Sequence, residues 1–213
     1  MIVVSAIELT ELEQDALTEV VNIGVSRAAA SLRKMVGHQV LLSVPAVEIV
    51  TRQKAVALLG ERESNELVAV QQSFSGAFSG RAMLIFPEEN SLTLARAVTG
   101  DELPADELLE IEQEALTETG NVILNSCLAT MANMLKRPLT MSIPQVRRGA
   151  GSTLFGETGA ADSDGLVLFL YINFSVHQRD LRGYIAMMMD MPSLVSLKGL
   201  LGEFIEQVVG GQQ

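Results

Sequence analysis

Tryptophan is absent from this sequence, cysteine occurs once, histidine twice, and aromatic residues make up 4% of the chain. A lone cysteine, Cys127, excludes an intramolecular disulfide and a CxxC metal site. It lies inside an apolar helical pattern with no histidine near it in sequence, so it is expected to be a small buried hydrophobe and not a catalytic thiol. His38 and His177 do not have the spacing of metal ligands. There is no block of Lys or Arg, and 15 basic against 26 acidic side chains leave a net charge of −11. Nucleic acid, whose binding depends on phosphate neutralisation, is therefore not an expected partner, and an anionic membrane surface would repel the chain. No uninterrupted apolar run reaches membrane-spanning length. The opening MIVVSAIEL lacks the basic region and long apolar core of a signal peptide. A cytoplasmic protein without its own metal or cofactor is the expectation.

What the sequence does hold is an aliphatic composition, 48% apolar with 19% charged residues, ordinary for a globular fold. Its organising feature occurs twice. Residues 11–22 read ELEQDALTEVVN and residues 110–121 read EIEQEALTETGN, related by a shift of 99 positions without a gap. Each copy ends in a glutamate followed three residues later by an asparagine, Glu19 and Asn22, then Glu118 and Asn121. A proline, Pro45 or Pro144, falls 23 positions beyond each asparagine. This points to an internal duplication, with halves at about 8–103 and 104–213 forming one domain.

Both copies carry helical periodicity. In the first, Thr10 and Glu13 form a capping-box signature. Leu17, Val20, Gly24 and Ala28 share the face to be buried, while Asp15, Glu19, Asn22 and Ser26 fall opposite. Gly37 is the expected C-cap. In the second, a helix is expected from Pro104 and Asp106 to Arg137, with Leu116, Thr119, Ile123 and Cys127 inward and Glu114, Glu118, Asn121 and Asn125 outward. Strands are expected over Gln39–Val50, broken at Pro45, Leu67–Phe74, Arg81–Phe86, Leu139–Ile143, ended by Pro144, Gly165–Val176 and Arg182–Met189. Residues 55–59 fit either a short helix or a strand. Pro87 is expected in the first turn of a helix over Glu88–Val98, RRGAGSTLFGETGAADSDG as a loop, and Ser193–Val209 as a closing helix behind Pro192. Two halves of this order share most simply one antiparallel sheet with helices packed on it, an α+β fold with pseudo-twofold symmetry.

A stripe of Asp, Glu, Asn and Ser on one helix is usually only its solvated side. Here it recurs in both halves at identical offsets. Asparagine is also a mediocre residue for an exposed helix interior. Residues three and four apart stand adjacent, so carboxylate and amide project together. The pair offers a charge to grip a cation and an amide that both donates to and accepts from water. It has no nucleophile and no metal cage, and no phosphate-cradling Gly loop accompanies it, so it suits a group that completes another protein's active site better than a stand-alone phosphoesterase.

The pattern Asp15-x3-Glu19-x2-Asn22-x22-Pro45 resembles the signature of the CheC/CheX/FliY family of chemotaxis phosphatases. The second copy reads Glu114, Glu118, Asn121 and Pro144, with Glu at the first position where the family shows Asp or Ser, and the two-copy layout is like that of CheC. The resemblance implies a CheC-like fold and a phosphatase acting on the aspartyl phosphate of a CheY-like response regulator, with Mg2+ belonging to the regulator. It implies that Asn22 and Asn121 orient water for in-line attack and that Glu19 and Glu118 engage the regulator's lysine. Asp15, Ser26, Glu114 and Asn125 would line the docking surface. The alternative is a non-catalytic module that sequesters the phosphorylated regulator or serves as an adaptor for the receptor deamidase CheD.

Overall fold

The computed structural model describes residues 9–63, 66–99, 105–156, 166–176 and 179–210. Along these, the chain runs α1 (Glu11–Val36), β1 (Val40–Thr51), α2 (Arg52–Arg62), β2 (Leu67–Gly76), β3 (Gly80–Pro87) and α3 (Glu89–Thr99). The second half continues with α4 (Ala105–Met134), β4 (Leu139–Met141), β5 (Gln145–Gly149), α5 (Gly151–Gly156), β6 (Leu166–Val176), β7 (Arg179–Met189) and α6 (Met191–Gly210). The local signals explain most of these limits. The Thr10–Glu13 capping box starts α1, and Gly37, in the left-handed conformation at φ 74°, ends it. Asp190 caps α6 by accepting from Ser193 N at 2.8 Å.

All strand pairings are antiparallel, in the order β1-β6-β7-β3-β2-β4, with β5 also on β2. The two halves are interleaved. Each contributes a hairpin, β2–β3 or β6–β7, and the hairpins join through β3 and β7. The first strand of each half then adds to the outer edge of the other half's hairpin, β1 to β6 and β4–β5 to β2. The expected α+β architecture with a pseudo-twofold, helices on one antiparallel sheet, is what the structure has.

Alternation along the strands feeds two cores. Val68, Val70, Leu84, Phe86, Leu168, Leu170 and Ile185 face the layer of α1, α4 and α6. Ala69, Met83, Ile85, Val167, Phe169 and Ala186 face α2 and α5 on the other side. Helices α1 and α4 lie against each other, and Gly24 sits at their closest approach: a Cβ there would stand 2.9 Å from the Cα of Cys127. Cys127 is the buried hydrophobe its neighbourhood implies. It is fully enclosed, and burial pushes its thiol pKa up to about 12. A thiol reagent at pH 8 is therefore expected to label Cys127 only as fast as the protein unfolds. Rapid stoichiometric labelling of the folded protein would contradict this packing.

Residues 55–59, open between a short helix and a strand, take the first of these as part of helix α2. Several expectations need correction. Pro87 ends strand β3, and α3 begins at Glu89. Helix α4 stops at Met134, short of Arg137, because Lys136 takes φ 54° and Arg137 N donates back to Ala132 O at 2.9 Å, a Schellman closure. The Gly-rich stretch is not simply a loop: Gln145–Gly149 is strand β5 and Gly151–Gly156 is helix α5, while 157–165 lies outside the described residues. Strand β7 starts at Arg179, before Arg182. Pro45 does not end its strand, whereas the strand expected over Leu139–Ile143 stops at Met141, and beyond Pro144 the chain pairs with β2 again as β5. Each proline sits in a β-bulge, and pairing resumes beyond it with the register moved by one residue. A bulge on an edge strand suits proline, which cannot donate to the ladder. The extra residue also changes which side chains face α1, from Val40 and Val44 before it to Val47 after it.

Candidate functional site

Each bulge lies beneath the asparagine of the helix above it, so each half forms one site from a helix, a bulged edge strand and the strand next to it. The equivalences follow from strand pairing. Leu42 opposite Phe174 in the first site matches Met141 opposite Phe74 in the second, and Val47 opposite Leu170 matches Val146 opposite Val70. The bulged strands thus keep the 99-residue shift, while their neighbours β2 and β6 correspond at 100. Val44–Pro45 then opposes Ile172, and Ile143–Pro144 opposes Gln72.

In the first site, Asp15, Glu19 and Ser26 are exposed on α1 and bond to no other described residue. Asn22 is not on the solvent side with them. It is half-buried and closes on the bulge, with Oδ1 accepting from Val44 N at 3.1 Å and Nδ2 donating to Val44 O at 3.2 Å. Gln14 adds a second tie, Nε2 to Val47 O at 2.9 Å. The physical reason is the bulge itself, which leaves the N–H and C=O of buried Val44 without ladder partners and in need of satisfaction. One N–H and one lone pair of the Asn22 amide remain.

The second site is built differently. Glu114 and Glu118 are exposed and bond to no other described residue. Asn121 and Asn125 are half-buried, again not fully outward. Asn121 does not reach the backbone of Ile143. Its Oδ1 accepts instead from Asn125 Nδ2 at 2.7 Å and from Gln72 Nε2 at 3.2 Å. Gln72 Nε2 also lies 3.0 Å from Ser142 O and 3.4 Å from Asn125 Oδ1. Both lone pairs of Asn121 Oδ1 are occupied, and its Nδ2 group bonds to no other described residue. The second bulge is correspondingly open. Ile143 is 79% exposed, whereas its counterpart Val44 is 3% exposed.

The structure brings Asn121 and Asn125 together with Gln72 and Ser142, and Asn22 with β1, while Asp15, Glu19, Ser26, Glu114 and Glu118 stand exposed on their helices without a hydrogen bond to the asparagines. Sequence reading missed Gln72 and Ser142. A signal for Gln72 existed: in LVAVQQSF it occupies an inward position of the alternation Val68, Val70, Phe74, where a polar residue is out of pattern. Among the described residues no group of three His, Cys, Asp or Glu side chains could hold a metal ion. No described helix is long and apolar enough to cross a membrane. An exposed carboxylate one helical turn from a donor-rich amide can grip a cationic partner group and orient a water or an anionic oxygen beside it.

Residues 68–163 match the model of a protein family described as chemotaxis phosphatase CheX. The chain is 26% identical over 141 residues to the flagellar motor switch phosphatase FliY of Bacillus subtilis (strain 168), which covers 65% of this chain and 36% of that one. It thus spans about a third of that relative's length. It is 23% identical over 201 residues to the CheY-P phosphatase CheC of the same organism, covering 91% of this chain and 96% of the relative. Among solved structures, Thermotoga maritima FliY superposes with a TM-score of 0.71 at 18% identity, covering 92% of this chain and 98% of that one.

Proposed function

The chain belongs to the CheC/CheX/FliY family of chemotaxis phosphatases, and from that premise we propose that it accelerates hydrolysis of the aspartyl phosphate of a CheY-like response regulator. The CheC relative is itself named for that phosphorylated substrate. In this reading residues 1–213 act as one domain, because each half's first strand completes the other half's sheet edge. The protein works in the cytoplasm, brings no metal of its own, and meets Mg2+ only in the regulator.

The observation that carries the reading is the state of Asn121: its oxygen is saturated by two donors and its Nδ2 group is uncommitted. Helix α4 docks on the regulator with Glu118 against a cationic side chain there. One N–H of Asn121 holds the attacking water by its oxygen, and the other meets charge gathering on a phosphoryl oxygen. A water lone pair forms the new P–O bond in line with the breaking one. The regulator's carboxylate leaves with its electron pair, and the water's proton goes to the released phosphate. Positioning and electrostatic stabilisation are what phosphoryl transfer asks of a catalyst, and a neutral amide supplies both without changing ionisation. Glu19 and Asn22 form a second, lesser site, since the Asn22 amide keeps only one N–H for this work. Asp15, Ser26, Glu114 and Asn125 surround the two pairs, and Asn125 also serves to orient Asn121.

The test is decay of a phosphorylated CheY-like regulator from the same organism, with and without catalytic amounts of this protein. Multiple turnovers are expected. Glu118→Ala should raise KM by about tenfold or more with a smaller change in kcat, as befits loss of one partner of an interfacial charge pair. Tight binding without any acceleration would overturn the enzymatic reading and leave a sequestering module.

A further inference from the structure

One of the differences between the two sites is a buried side chain below the second that the first does not have. Gln72 is 2% exposed, and the matching position in the other half is Ile172, 3% exposed. Its orientation is fixed by a group that cannot rotate its chemistry: the backbone carbonyl of Ser142 only accepts, so Gln72 must turn its Nε2 toward it, at 3.0 Å. With that nitrogen in place, the side-chain oxygens of both Asn121 and Asn125 are drawn to it. Asn125 then has its Nδ2 on the Asn121 side, where it donates to Oδ1. Reversing any one amide would set donor against donor or oxygen against oxygen, so the assignment is self-consistent in one sense only. Its outcome is that Asn121 faces inward with oxygen and outward with Nδ2.

Where Ile172 stands, nothing competes for the asparagine, and Asn22 falls onto the Val44 backbone. Gln72 ties the Ser142 carbonyl through Nε2, but at a cost, since its Oε1 is buried with no partner among the described residues. Unpaired buried groups of this kind are tolerated where they arrange a site.

We propose that Gln72 is a positioning residue for the phosphatase site: it lifts Asn121 off the bulged strand and locks its amide with the donors outward. This rests on the function proposed above but makes a separate claim about the amide. The experiment substitutes the other half's residue, Gln72→Ile, with Gln72→Met as an unbranched variant of similar length. Two quantities are read: turnover of the phosphorylated regulator, and the side-chain 15N–1H2 resonances of Asn121. In both variants kcat is expected to fall by about tenfold to a hundredfold, the scale of a displaced positioning group, with KM little changed. One Asn121 amide proton should also become protected from exchange as it turns to the Ile143 carbonyl. Unchanged Asn121 resonances with unchanged kcat would overturn the proposal, and so would a loss of activity that merely follows loss of folded protein. If the wild-type protein shows no turnover, the functional reading fails, and the resonances alone still decide whether Gln72 orients Asn121.

Discussion

Asn121→Ala is expected to lower kcat by about 10²–10³-fold, the range seen when one preorganised donor is removed from a transition-state site, while barely moving the denaturation midpoint. Asn121 Nδ2 bonds to no other described residue, so its loss strands nothing. Its Oδ1 is one of three acceptors around Gln72 Nε2, which keeps Ser142 O at 3.0 Å. Only the Asn125 donor loses its partner, and that group is half-buried, so the stability cost is about 1 kcal/mol or less. Asn22→Ala should behave the opposite way. It uncouples the N–H and C=O of Val44, a residue 3% exposed, so it should cost about 1–3 kcal/mol of stability. Its effect on turnover should be smaller than that of Asn121→Ala. Turnover numbers and urea midpoints for the two variants check both halves of this statement. Equal losses of kcat would mean that the hydrogen-bonded state of the amide does not grade the sites.

That contrast also marks what a sequence carries and what it does not. The helices bearing the two motifs were legible because capping, periodicity and the left-handed Gly37 are local signals. The pairing of halves was legible because the duplication forces symmetric solutions. Helix periodicity sorted Asn22 with Asp15 and Glu19 because all three share a side of α1. It could not say that a bulge on β1 would leave Val44 needing that amide, since a bulge depends on register with β6, some 130 residues away in the chain. The gapless shift of 99 led to a second blind spot. It matches Gln72 with Tyr171, which packs on the α2 side. Strand pairing matches Gln72 with Ile172, and only then does the inequality of the sites come into view.

Gly120→Ala is the substitution with the largest expected effect on fold and site together. A Cβ at Gly120 would lie 2.5 Å from Cβ and Cγ1 of Val70, a buried β-branched side chain with no freedom to withdraw. Helix α4 must therefore rise from strand β2 or Val70 must adopt a strained rotamer, at about 1–3 kcal/mol for an overpacked core position. The first half has Val21 at the matching helix position, so close backbone approach is a property of the second site alone. Gly120 directly precedes Asn121, and Gln72 follows Val70 by two residues on the same side of β2. Lifting the helix by even half an ångström stretches the 3.2 Å contact between Gln72 and Asn121 past a useful hydrogen bond. The expected result is a lowered urea midpoint and a fall in kcat approaching that of Asn121→Ala, with the Asn22 site unaffected. Adding Val70→Ala makes room for the new methyl group and should recover much of the turnover even though it adds its own cavity cost. Recovery would identify helix height above the sheet as what sets the Asn121 amide. Stability loss with full turnover retained would show that the amide finds its orientation without the close approach that Gly120 permits.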